Sequence, residues 1–116
     1  MIVAVQGSRN FNDYNIFLRA MGTALHTMES GDGKLVVYSA GPAHINSMAQ
    51  EFVNVSERGL KARGIRTQLR KVPPSWLKEN LIDIDYIAFF SKPKEPLSDF
   101  VKYAEDRDAE IGVYRY

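Results

Sequence analysis

A Rossmann-like three-layer α/β sandwich, built on a five-stranded and mostly parallel sheet of order 3-2-1-4-5, follows from three features of this 116-residue chain. Short apolar runs recur five times, segments with helical spacing separate them, and three of the runs break off in turn-forming residues. Runs of β-branched and aromatic residues suit strands covered on both faces. Their alternation with helices requires right-handed crossovers between parallel neighbours.

The first run is Ile2-Val3-Ala4-Val5-Gln6, which ends in Gly7-Ser8. Tyr14, Leu18, Met21, Leu25 and Met28 then step by three or four residues and predict one buried helical stripe. Asn12 or Asp13 is the expected N-cap, and Gly31 the expected stop. Strand two is Leu35-Val36-Val37-Tyr38, ending in Ser39-Ala40-Gly41-Pro42. A helix with Ile45, Met48, Phe52, Val55 and Gly59 on one face follows, and Gly64 terminates it. Strand three, Ile65-Arg66-Thr67-Gln68-Leu69-Arg70, alternates and is more polar, as suits a sheet edge. Pro73-Pro74 opens a shorter helix around Trp76, Leu77 and Leu81. Strand four is Tyr86-Ile87-Ala88-Phe89-Phe90, broken by Ser91-Lys92-Pro93. The last helix starts near Leu97, capped by Ser98 or Asp99, with Phe100, Val101 and Ala104 inward. Strand five is Ile111-Gly112-Val113-Tyr114, and Tyr114-Arg115-Tyr116 offers a homodimer contact.

Composition narrows the function classes. The length suits one domain spanning 1–116, large enough to fold without a metal or disulfide. There is no cysteine, which excludes a disulfide framework, thiolate catalysis and a Cys-based zinc site. Two histidines far apart, His26 and His44, argue against a transition-metal site. Fifteen basic and 14 acidic residues leave a net charge of +1, so a dedicated duplex-DNA binder is not expected. Lys61, Arg63, Arg66, Arg70 and Lys71 do cluster, and read first as a solvated face. The chain opens on a strand rather than on a basic stretch ahead of a long apolar core, so no secretory signal is expected. No apolar run approaches the roughly 20 residues that span a bilayer. The expected location is the cytoplasm, with no membrane partner.

In this strand order the topological switch lies between strands one and four, and ligands bind outside the carboxyl ends of the strands there. Three loops meet at that edge: 7–12, 39–44 and 91–98. In the first, Gly7 permits close backbone approach, Ser8 offers a hydroxyl and Arg9 a fork suited to phosphate or carboxylate. The same residues also make a tight turn in which Arg9 pairs with a neighbouring acid. In the second, Pro42 suits a first helical turn, and small Ser39, Ala40 and Gly41 leave room for a phosphate or ribose against helix amides. His44 serves as a ligand contact or a plain surface group. In the third, Lys92 and Lys94 neutralise a phosphate or merely solvate the loop. Trp76 stacks on a base or, the simpler alternative, anchors its helix on the sheet. The ligand-contact candidates are Gly7, Ser8, Arg9, Phe11, Ser39, Ala40, Gly41, His44, Ser91 and Lys92; no catalytic residue, metal ligand or cofactor is assigned.

The stretch Gly7-Ser8-Arg9-Asn10-Phe11-Asn12-Asp13 after a strand resembles the YspA-like branch of the SLOG superfamily, which also includes the DNA-processing protein DprA and the LOG phosphoribohydrolases. Arg70-Lys71-Val72-Pro73-Pro74-Ser75-Trp76 and Asp85-Tyr86-Ile87-Ala88-Phe89-Phe90 are similar to later stretches of that branch. The resemblance implies a Rossmann-like fold that senses or processes nucleotide-derived ligands, with contacts at Gly7, Ser8 and Arg9 and, by loop position, Ser39, Ala40 and Gly41. Two turns depart from the family pattern. A G-G-A-x-G-A-D type turn reads Ser39-Ala40-Gly41-Pro42-Ala43-His44-Ile45 here, and the P-G-G-x-G-T turn of LOG enzymes reads Ser91-Lys92-Pro93-Lys94-Glu95-Pro96-Leu97-Ser98. Non-catalytic binding of an ADP-ribose-like ligand is therefore the leading expectation. A nucleotide N-glycosidase using Asp13, Glu51 or Glu95 is one alternative. An accessory protein, of a phage or mobile element, that binds a protein partner through a vestigial site is another.

Overall fold

The computed structural model describes residues 1–27, 33–92 and 98–115. Five strands, β1 (Ile2–Gly7), β2 (Lys34–Ser39), β3 (Arg66–Lys71), β4 (Tyr86–Ser91) and β5 (Ile111–Arg115), form one sheet of order β3-β2-β1-β4-β5. Every pairing is parallel, so the sheet is wholly and not just mostly parallel. The polar alternating strand, β3, is at an edge as its pattern requires.

Helices α1 (Tyr14–His26) and α2 (Ala43–Ala62) cover one face; α3 (Pro74–Glu79), a 3-10 turn (Leu81–Asp83) and α4 (Asp99–Asp106) cover the other. Alternation divides the strands between two cores. Val3, Val5, Leu35, Val37, Ala88 and Phe90 pack under α1 and α2, while Ala4, Ile87 and Phe89 pack under α3 and α4. β4 is buried along its whole length, which is why it reads as an unbroken apolar run.

The two long helices turn slightly different faces inward than large apolar residues alone suggest. In α1 the buried stripe is Phe17, Ala20, Met21 and Ala24, while Leu18 is 40% exposed. Two alanines let that helix approach the sheet closely, and a stripe drawn through large side chains overlooks them. In α2 the buried residues are Ile45, Met48, Ala49, Phe52, Val53 and Leu60; Val55 is 67% exposed and Gly59 faces solvent. A step of three beyond Phe52 falls about 60° short of a full turn, and Val53 takes the inward place instead. Met28 and Gly31 lie outside the described residues.

Helix ends follow local chemistry. Asp13 caps α1, its Oδ1 accepting from Ile16 N at 3.2 Å, and Ser98 caps α4, its Oγ accepting from Val101 N at 3.3 Å. α2 stops at a Schellman motif: Ile65 N donates to Leu60 O at 2.8 Å and Gly64 N to Lys61 O at 2.9 Å, with Gly64 at φ +78°. A Cβ at Gly64 would meet no atom within 4 Å, so Gly64→Ala tests backbone conformation alone. A urea titration should show stability lower by about 1–2 kcal/mol with an unchanged slope. A loss well below about 0.5 kcal/mol would contradict a left-handed residue there.

Candidate functional site

Strand register brings the three loops together at the carboxyl edge of the sheet. Val5 stands beside Ser39, and Gly7 beside Phe90, so the ends of β2, β1 and β4 are neighbours at the switch between β1 and β4. Backbone bonds then tie the loops. Gly7 N donates to Gly41 O at 3.3 Å, and Ser8 N to Phe90 O at 2.8 Å. Gly7 is required by crowding: a Cβ there would lie 2.9 Å from the Phe90 Cβ, 3.0 Å from the Phe90 carbonyl and 3.1 Å from Ile45 Cδ1.

These bonds redistribute the roles expected within the first loop. The Gly7 and Ser8 amides are engaged by protein carbonyls, and the Asp13 carboxylate occupies the amino end of α1. What the first loop presents to solvent is the side chains of Arg9, Asn10 and Asn12. Phe11, grouped with the ligand contacts on sequence, is fully buried and stacked on Phe90 at 4.5 Å between ring centroids. Its ring is core, because the Ser8 carbonyl accepts from Phe11 N at 3.1 Å and the turn folds the aromatic inward.

The second loop divides in a similar way. Ser39 is fully buried; its Oγ donates to Asn46 Oδ1 at 2.5 Å, and its carbonyl accepts from Val72 N at 2.9 Å. It clamps the end of β2 to the first turn of α2 and to the segment after β3. Ala40 is buried as well, its amide donating to Val5 O. Gly41 is the open residue: it has φ +83°, and a Cβ built on it meets nothing within 4 Å. Pro42 then stands at the N-cap of α2 with no side-chain cap bond, and the first helical bond is from Asn46 N to Pro42 O. Among the described residues, the amides of Ala43, His44 and Ile45 have no acceptor, and His44 is exposed beside them. So the two helix starts differ: α1 is capped by a carboxylate, and α2 carries bare amides.

In the third loop Ser91 is buried, its Oγ donating to Lys92 O at 3.3 Å, and Arg115 Nη1 donates to the same carbonyl at 2.8 Å. Lys92 is half-buried. Lys94, Glu95 and Leu97 lie outside the described residues. Gln6, which sequence reasoning passed over as a strand residue, sits one position before this edge with its Oε1 buried and without a hydrogen-bond partner. A polar residue closing an apolar strand was the available signal.

Trp76 takes the simpler of its two roles. Its ring stacks on Tyr38 of β2 at 4.1 Å and fastens α3 to the sheet. Tyr14, at the start of α1, has a buried hydroxyl without a partner; burial first, and the nearby Glu51 charge second, raise its pKa above 10.0. Two clefts of about 600 and about 440 Å³ lie at the opposite, amino edge of the sheet. Lys78, Tyr103 and Arg107 help to line the larger, and Lys61, Ile65 and Thr67 the smaller. Among the described residues no group of His, Asp or Glu side chains is arranged to hold a metal ion, and no helix is long and apolar enough to cross a membrane.

Comparisons with protein-family models, with curated proteins and with solved structures return no significant match.

Proposed function

We propose that this chain binds a nucleotide-derived phosphate ligand of the ADP-ribose type at the carboxyl edge of the sheet, without turning it over. The observation that carries the reading is the bare amino end of α2, adjoining the open turn at Gly41. Three unengaged amides and the positive end of a 20-residue helix favour a phosphate there. Arg9, exposed on the neighbouring loop, supplies the fork that a second phosphate oxygen pair would take. Small Gly41 leaves space for a ribose, and Gln6 offers a buried acceptor to a ligand hydroxyl or amine. The likeness of the first loop to the SLOG turn supports the same ligand class. Binding rather than hydrolysis is inferred because the Asp13 carboxylate is engaged as a cap and Glu51 is exposed on α2, near the Tyr14 phenol. In this reading the protein is a cytoplasmic sensor.

The test is a thermal-unfolding screen with ADP-ribose, ADP and inorganic phosphate. A ligand at ~100 times its dissociation constant should stabilise the fold by roughly 2.7 kcal/mol. His44→Asp is the informative variant, because it places a carboxylate among the bare amides. It should stabilise the free protein by about 0.3–1 kcal/mol and at the same time weaken the ligand. Arg9→Ala, at an exposed position, should weaken the ligand without moving the melting point of the free protein. No stabilisation by any of the three compounds sinks the proposal, as does undiminished affinity in His44→Asp.

A further inference from the structure

The basic cluster that the ligand site leaves unused is placed on an open sheet edge. β3 pairs with β2 on one side only. Arg66 N donates to Gly33 O and Val72 N to Ser39 O, both at 2.9 Å, which frames the ladder. In a parallel ladder alternate residues bond to a given neighbour, so Arg66, Gln68 and Arg70 turn their backbone groups to β2. The N–H and C=O groups of Thr67, Leu69 and Lys71 then point outward along the free edge.

Side chains add charge to this edge. Arg66, Gln68 and Arg70 project from one face, about 6.6 Å apart at strand rise. With its amide oxygen turned toward Arg70, Gln68 accepts from Nη2 at 3.0 Å and Nε at 3.3 Å, a neutral contact that orients the guanidinium and leaves its charge in place. Lys34 stands directly opposite Arg66 in the register. Like charges facing each other across a sheet are destabilising, so the fold tolerates a local cost here. On the other face, Thr67 Oγ1 is buried without a partner beside the cleft of about 440 Å³ that Lys61 and Ile65 also line.

We propose that the β3 edge is a docking strand for an acidic, extended peptide of a partner protein. Such a strand pairs with the outward backbone groups, sets carboxylates at alternate positions against Arg66 and Arg70, and turns its other side chains toward the cleft. A second copy of the chain fits poorly. Antiparallel self-pairing centred on Gln68 sets Arg66 against Arg70 of the other copy, twice. A nucleic acid would use the cations but leave the backbone edge unpaired, and the net charge of +1 gives it no wider field.

The probe is a fluorescein-labelled octapeptide of alternating glutamate and valine, followed by fluorescence anisotropy. Binding should weaken with added salt, and should fall by about tenfold or more in Arg66→Glu/Arg70→Glu. Both arginines are exposed, so the variant should keep the parental circular dichroism, and its urea midpoint should be no lower, because Arg66→Glu turns the like-charge contact with Lys34 into an attractive one. Two further peptides, N-methylated at alternate amides in either phase, keep every charge, and one of them should lose binding. Undiminished binding of both methylated peptides overturns strand addition. Tighter binding of a thymidine oligonucleotide, lost in the same variant, reassigns the edge to nucleic acid. No binding of the parent peptide overturns the proposal outright.

Discussion

Phe90→Ala should lower the stability of this protein by about 3–5 kcal/mol, the range for truncating a fully buried aromatic. Phe90 is fully buried near the end of β4 and is the hub of an aromatic cluster. Its ring centroid lies 4.5 Å from that of Phe11, 5.5 Å from Phe17 and 5.6 Å from Tyr114. Its Cβ and carbonyl are also the atoms against which the end of β1 closes at Gly7 and Ser8. Truncation therefore removes the support of the first loop as well as a large apolar area. A domain of this size has roughly 6–17 kcal/mol of stability in total, so the loss is a sizeable share. The melting temperature should fall by roughly 10–20 °C. Phe90→Leu, which refills most of the volume, should lose far less. Equal losses in the two variants would mean that the ring contacts, and not the filled volume, carry the effect.

That hub also shows where reading from the sequence stops. The apolar run Tyr86-Ile87-Ala88-Phe89-Phe90 announces a strand buried on both faces, and right-handed crossovers then arrange five such runs in the order observed. The polar alternation of β3 marks it as an edge for the same reason: only one neighbour and a thin cover need apolar side chains. Periodicity does not say which partner each side chain meets. Phe90 and Phe89 look alike in sequence, yet one closes the cluster under α1 and the other packs under α3 and α4. Loops are less legible still. Phe11 in a polar turn looks available to a ligand, and Gly7 looks open to close approach by one, because nothing local reveals that Gly41 O and Phe90 O will take the Gly7 and Ser8 amides. The distinction between the capped start of α1 and the bare start of α2 is half legible. Asp13 is a recognisable cap, whereas Pro42 has no side-chain oxygen to accept from the first turn. Leu18 and Val55 show the remaining weakness, since a helix docks through whichever face lets its backbone come close, and alanines count toward that face.

Gly112→Ala should be nearly as damaging as the loss of Phe90, through overcrowding instead of a void. Gly112 lies on edge strand β5 opposite Ala88, and the side chain of Tyr114 crosses over it to reach Tyr86. The two hydroxyls are 2.6 Å apart. A Cβ on Gly112 would fall against the Tyr86 hydroxyl, 2.9 Å from Cε2 of Tyr114 and 3.0 Å from its hydroxyl. Overpacking costs about 1–3 kcal/mol, and separating the hydroxyls adds about 1 kcal/mol. The pair has a pH signature of its own. Burial first, and the hydrogen bond with Tyr114 second, push the Tyr86 phenol well above its ordinary 10.0. The fold thus favours the neutral phenol. Its contribution is complete below about pH 10, where the unfolded tyrosine titrates, and is lost as pH rises toward the folded value. Unfolding midpoints should be flat at neutral pH and decline from about pH 10 upward, less steeply in Tyr86→Phe. Combining the two substitutions separates crowding from a general weakness of the edge. Tyr86→Phe removes the nearest of the atoms that the new methyl meets, so the double variant should be more stable than the sum of the single losses predicts, by about 1 kcal/mol. Strict additivity would show that the alanine acts on the β5 backbone, and that the hydroxyl pair does not require glycine at 112.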